Sequence, residues 1–160
     1  KKPEQLAGID ALIFPGGEST TLIKLMDSWD WWAPLKRFAA EKPVFGTCAG
    51  MILVAKGVSN PPQKSLGLID IDVERNGYGR QIDSFEGIGS FGADGKTREL
   101  PMVFIRAPRI SRVGEGVEAL AECRGDVVMA RQGNVLVASF HPELTDDLGV
   151  HRHFVEMIGQ

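Results

Sequence analysis

The sequence predicts an α/β fold, a mixed sheet flanked by helices with an antiparallel β extension. Three observations carry this. In the first half, short apolar runs alternate with helix-compatible stretches, the pattern of strand–helix units on a sheet. The second half holds three apolar strands separated by tight glycine turns, which pair antiparallel. At 160 residues, 43% apolar and 24% charged, the chain has the size and composition of one domain with a sizeable core.

The elements follow in order. Residues 11–14 form a short apolar strand stopped by Pro15-Gly16-Gly17. Ser19 or Thr20 is placed to cap a helix whose apolar stripe is Leu22, Ile23, Leu25 and Met26. A second helix over 33–42 carries Leu35, Phe38 and Ala39 on one face. Residues 43–45 read as a strand, Cys48 as the apex of a turn, and 51–55 as the helix after it. Asn60-Pro61-Pro62 marks a loop, and residues 68–73 alternate like a half-buried strand. Asn76-Gly77 and Gly79 interrupt the chain, and the glycine-rich residues 87–95 read as loop or hairpin. Residues 102–105, 119–123, 127–131 and 135–140 are strands, the last three joined by turns at Arg124-Gly125-Asp126 and Gln132-Gly133-Asn134. An amphipathic helix over 148–158 closes the chain.

Composition narrows the function classes. Net charge is −3, with no run of Lys or Arg. The densest basic stretch, 106–112, holds three spaced arginines, which argues against a nucleic-acid stripe. No apolar run is long enough to span a membrane, and no signal peptide is visible. Cys48 and Cys123 lie far apart without framework spacing, so a reducing, cytoplasmic setting is the default.

Three motifs carry chemistry. Gly46-Thr47-Cys48-Ala49-Gly50 joins a strand to a helix, a turn that lifts a nucleophile out of the sheet. Glycines on both sides leave room for backbone where a side chain would clash. The helix N-terminus is expected to favour thiolate at Cys48. The alternative is a buried structural cysteine. His141-Pro142-Glu143 follows a strand. Proline holds His141 extended, so Glu143, two residues on, points the same way and reaches back to the ring. A carboxylate on one ring nitrogen fixes the tautomer and leaves the other free to act on Cys48. A surface His-Pro-Glu loop is the alternative. In Pro15-Gly16-Gly17-Glu18-Ser19, two glycines can turn N–H groups toward an oxyanion, or form an ordinary turn. His151 and His153 read as surface or packing residues. A metal site from Cys48, His141 and Glu143 is conceivable by ligand type, but the nucleophile turn does not require one.

Taken together, Pro15-Gly-Gly-Glu-Ser-Thr-Thr21, Gly46-Thr-Cys-Ala-Gly50, Val73-Glu-Arg-Asn-Gly-Tyr-Gly-Arg-Gln-Ile-Asp-Ser-Phe-Glu86, Val103-Phe-Ile-Arg-Ala-Pro108 and Ser139-Phe-His-Pro-Glu-Leu-Thr145 resemble the class I, or triad, glutamine amidotransferases. The resemblance is closer still to the glutaminase subunits of pyridoxal 5′-phosphate synthases and runs the length of the chain. The resemblance implies a flavodoxin-like mixed sheet and hydrolysis of L-glutamine to glutamate and ammonia. Cys48 would be nucleophile, His141 general acid and base, and Glu143 its orienting group. N–H groups of Gly17 and Ala49 would form the oxyanion hole. Gly17, Glu18, Ser19, Arg75, Ile105 and Arg106 would bind glutamine. It implies no metal and no cofactor. The implied partner is a (β/α)₈-barrel synthase in a hetero-oligomeric complex. Family members begin with a further strand–loop–helix unit, so residues 1–160 are expected to be one N-terminally incomplete glutaminase domain. Other readings are a non-catalytic regulatory subunit and a related cysteine hydrolase.

Overall fold

The computed structural model describes residues 2–78, 84–93 and 95–159. Its main sheet has seven strands in the order β1-β2-β10-β9-β8-β5-β6. These are β1 (Leu12–Phe14), β2 (Val44–Thr47), β5 (Ser84–Ala93), β6 (Lys96–Ile105), β8 (Glu118–Cys123), β9 (Asp126–Gln132) and β10 (Val135–Ala138). A smaller sheet has the order β3-β4-β7, from Ala55–Ser59, Ile69–Glu74 and Arg109–Val113. β1, β2 and β10 are parallel neighbours, whereas the rest of the main sheet is antiparallel. This is the mixed sheet with an antiparallel extension that the sequence predicts.

Alternation along the strands divides the interior in two. On β2, Val44 faces one apolar cluster and Phe45 the other. On β10, Val135 and Val137 join the first, and Leu136 and Ala138 the second. The first cluster is covered by α1 (Ser19–Ser28), α2 (Trp32–Glu41), α3 (Ala49–Val54) and the smaller sheet. The second is covered by α4 (Gly149–Glu156), whose Val150 and Phe154 are buried at helical spacing. Strands buried on both faces lose the polar alternation of a surface strand, and β2 and β10 are buried at every position.

Several expectations change. The α1 cap is Glu18, not Ser19 or Thr20. Its carboxylate accepts from Thr20 N at 3.1 Å and from Thr20 Oγ1 at 2.9 Å, while the Ser19 hydroxyl is engaged elsewhere. Leu25 lies exposed, off the buried stripe. Of the two readings of residues 87–95, the hairpin holds and the loop does not: most belong to β5, which runs antiparallel to β6 over ten residue pairs. Glycine suits β5 because a Cβ at Gly89 would strike the Glu122 carbonyl of β8. β3, β7 and an opening 3₁₀ helix, Pro3–Gly8, were not anticipated from the sequence. The interruption at Gly79 and part of the Val73…Glu86 motif, residues 79–83, lie outside the described residues.

Close packing fixes the turn between β2 and α3. A Cβ at Gly46 would sit 2.6 Å from the Gly50 carbonyl oxygen, and one at Gly50 would run into the Phe14 carbonyl of β1. Both obstacles are backbone and cannot swing aside. Gly46→Ala and Gly50→Ala should each cost about 1–3 kcal/mol, the usual range for overpacking. Gly8→Ala, where nothing lies within 4 Å, serves as the control. Urea unfolding midpoints measure this, and midpoints for all three variants equal to that of the unsubstituted chain would refute the packing argument.

Candidate active site

Parallel neighbours end at the same end of a sheet. The loops after β1, β2 and β10 therefore meet beyond the carboxyl ends of three adjacent strands, the usual place for a ligand in an α/β sheet. These loops carry Gly16-Gly17, Cys48 and His141 respectively.

Cys48 has φ 49° and ψ −107°, a left-handed backbone that a side chain makes costly. The surroundings impose it. Cys48 N donates to Ala138 O at 2.9 Å, and Ile52 N donates back to Cys48 O at 3.3 Å. The close contacts at Gly46 and Gly50 leave the chain no wider path. Cys48 is only 7% exposed, and its Sγ lies 3.9 Å from the Ile105 carbonyl oxygen. Burial pushes the thiol above its ordinary range. The Ala49 N–H and the Arg106 charge pull it down, and the Glu143 charge adds to the rise. The expected bias toward thiolate is thus reversed in the isolated chain. α3 has six residues, and desolvation of the sulfur outweighs what its N-terminus offers.

His141 is held by its neighbours in the chain. Phe140 is fully buried and packs against Phe104, and His141 N donates to Val103 O at 2.8 Å. The ring Nδ1 lies 2.7 Å from Glu143 Oε1. The pairing matches the sequence reading, but its backbone differs. Pro142–Leu144 form a turn of 3₁₀ helix rather than an extended run, and this turn brings the carboxylate back to the ring. The Cε1 edge of the imidazole meets Gly16, where a Cβ would collide with it. Gly16 therefore makes room for the histidine, a role that its Gly-Gly context alone does not reveal.

A cavity of about 390 Å³ opens among these loops. Cys48, Ala49 and His141 line it, with Gly17, Glu18 and Ser19 from the β1–α1 junction, Arg75 after β4, and Ile105 and Arg106 at the end of β6. Glu143 stands behind His141, outside the lining. The sequence reading omitted Ile52 and Asn76, which also line the cavity. Ile52 reads from sequence as plain core, whereas Asn76 follows directly on Arg75. Gly17 has φ +137°, open to glycine alone in practice. Glu18 is held below the usual carboxylate range by the Thr20 N–H and hydroxyl, with smaller help from Arg75 and Arg106. Arg75 Nη2 stands 3.7 Å from Glu18 Oε1. Arg106, like Cys48, has a left-handed backbone, with φ 43°.

The remaining candidates lie elsewhere. Cys123 is buried at the end of β8, against Gly87. His153 packs edge-on to Phe91, with ring centroids 5.9 Å apart, and His151 shares its helix. Among the described residues, no group of three or more His, Cys, Asp or Glu is arranged to hold a metal ion. No described helix is long and apolar enough to cross a membrane.

A buried thiol, a His–Glu pair and two arginines around one cavity suit amide chemistry through a cysteine on a substrate bearing a carboxylate. The profile of the SNO glutamine amidotransferase family matches residues 1–160, and the chain belongs to that family. Pyridoxal 5′-phosphate synthase subunit PdxT of Thermosipho africanus is 52% identical over 159 residues, 99% of this chain and 84% of that protein. The subunit of the same name from a Geobacillus species is 54% identical over 159 residues, covering 99% and 82%. A crystal structure of a glutamine amidotransferase superposes with a TM-score of 0.90 at 45% identity, covering 99% of this chain and 84% of that one.

The electrostatics of Cys48 make a measurable prediction. Iodoacetamide alkylation of the isolated chain should follow a thiol titrating above the ordinary range, since burial opposes the charged form. Glu143→Gln should lower that midpoint by removing a negative charge, and Arg106→Ala should raise it. Opposite shifts, followed by peptide mass spectrometry on Cys48, would show that the electrostatic picture is wrong.

Proposed function

We propose that this chain hydrolyses L-glutamine to L-glutamate and ammonia with Cys48 as nucleophile, His141 as general acid and base, and Glu143 as orienting group. We further propose that the ammonia passes to a (β/α)₈-barrel synthase subunit in a cytoplasmic hetero-oligomeric complex that makes pyridoxal 5′-phosphate. The observation that carries the reading is a single cavity shared by Cys48, His141 and two arginines, in a chain of the glutamine amidotransferase family. The relatives' names, each a subunit of pyridoxal 5′-phosphate synthase, support the synthase as partner.

The chemistry follows from the placement. Glutamine enters with its α-carboxylate toward Arg75 and Arg106, which can bind it in a fork. His141 takes the Cys48 proton, and Sγ bonds to the side-chain amide carbon. The carbonyl π electrons move to oxygen, where N–H groups of Ala49 and Gly17 can receive the charge. The C–N bond breaks as His141 gives its proton to the departing nitrogen, which leaves as ammonia. A thioester remains on Cys48. His141 then takes a proton from water as the carbon–oxygen bond forms, and the C–S bond breaks as His141 returns that proton to Sγ, releasing glutamate and restoring the thiol. Glu143 keeps the ring oriented and supports the imidazolium, which suits its 2.7 Å contact at Nδ1. No step requires a metal or a cofactor.

The roles separate by substitution. Cys48→Ala should abolish hydrolysis, while Cys123→Ala leaves the rate nearly unchanged. His141→Asn should cost several orders of magnitude, since both proton transfers are lost, and Glu143→Gln should cost less. Steady-state glutaminase assays read the rates, and mass spectrometry locates the thioester. A thioester on Cys123, or full activity in Cys48→Ala, would end this assignment.

A further inference from the structure

A cavity wall reads its ligand through donors and acceptors that the protein has left uncommitted. Ser19 is 2% exposed, opens α1 and lines the candidate cavity. Its hydroxyl donates to Gln63 Oε1 at 3.0 Å, a contact spanning 44 positions of sequence. A serine hydroxyl has one proton and two lone pairs. With the proton held by Gln63, Ser19 can offer the cavity only acceptor capacity.

Gln63 itself is unusual. Its Nε2 is buried with no hydrogen-bond partner among the described residues. A buried amide donor left unpaired is unfavourable. Packing alone would thus be served better by an apolar side chain of similar size. What glutamine supplies there, and such a side chain would not, is the acceptor for Ser19.

We propose that Gln63 is a positioning residue that holds the Ser19 proton away from the cavity, so that Ser19 Oγ accepts a hydrogen bond from the α-ammonium group of the substrate. This rests on the reading of the cavity as a glutamine site. In that reading the amide faces Cys48 and the α-carboxylate faces the arginines. The α-ammonium is then the substrate donor still unmatched. Next to Ser19 stands the Glu18 carboxylate, an anion on the same cavity wall. Together they make an acceptor and a counter-charge for an ammonium group.

The test uses the chain in complex with its synthase. Rates are measured with glutamine and with glutaramate, which keeps the amide and the carboxylate but lacks the ammonium group. Gln63→Met should raise KM for glutamine about tenfold, the loss of roughly one hydrogen bond, with kcat little changed. It should leave kcat/KM for glutaramate unaltered. Gln63→Glu keeps an acceptor for the Ser19 proton and should restore KM. Ser19→Ala should match Gln63→Met, and the double variant should lose no more. An equal loss on both substrates, no loss on either, or a Gln63→Glu variant as poor as Gln63→Met would overturn the proposal. Should Gln63→Met fail to fold, the other two variants decide: discrimination lost in Ser19→Ala and kept in Gln63→Glu supports the proposal, and any other pattern overturns it. If the unsubstituted complex hydrolyses no glutamine, the glutaminase reading falls and takes this inference with it. An active complex with indifferent variants removes this inference alone.

Discussion

The left-handed backbone at Cys48 is the constraint on which the rest of the site depends. Cβ-bearing residues hold such a conformation only where the surroundings over-determine it. Here the β10 carbonyl at Ala138 takes the Cys48 N–H, α3 starts at once, and the two flanking glycines let β2, α3 and β1 approach within backbone contact. The same parallel trio, β1, β2 and β10, sets the other two loops beside the turn. The position of His141 is thus a consequence of strand order, fixed further by the buried Phe140 and by Gly16, which leaves room for the ring's Cε1 edge.

Burial has a chemical cost at this turn. It orients the sulfur but also disfavours its charged form, and the short helix α3 does not compensate. A second strained residue, Arg106, borders the same cavity, directly after the Ile105 carbonyl that faces Sγ. Gly17 adds a third uncommon backbone geometry. Strained backbone clusters at active sites, ligand clamps and switch regions. A partner docked beside these loops can favour a state in which the Gly17 N–H and the thiolate are both ready, a population shift acting through the glycine peptide.

Much of this was legible in the sequence, and the limits have physical causes. The Gly-x-Cys-x-Gly turn and the His141–Glu143 contact are local, so residue order alone located both, though not the 3₁₀ turn that closes the contact. The smaller sheet was less legible. β7 reads as scattered arginines, and it becomes a strand by pairing antiparallel with distant β4, where Arg112 meets Asp70 and Asp72. β3 contains Gly57, a poor strand former, whose missing Cβ leaves room for the Asp72 carboxylate. The raised thiol, the Gly16–His141 contact and the Ser19–Gln63 bond all depend on tertiary neighbours. No window of sequence holds both partners of any of them.

The most direct measurement of the central claim is the glutaminase rate of the chain alone and with its synthase, at matched concentration and saturating glutamine, using the chain with any native N-terminal extension present. The account predicts a chain nearly silent by itself, with a rate at least about tenfold higher once docked, a shift of roughly 1.4 kcal/mol in favour of the competent state. An isolated chain that turns over glutamine as fast as the complex would contradict it, because the strained, buried thiol would then already stand in its working state.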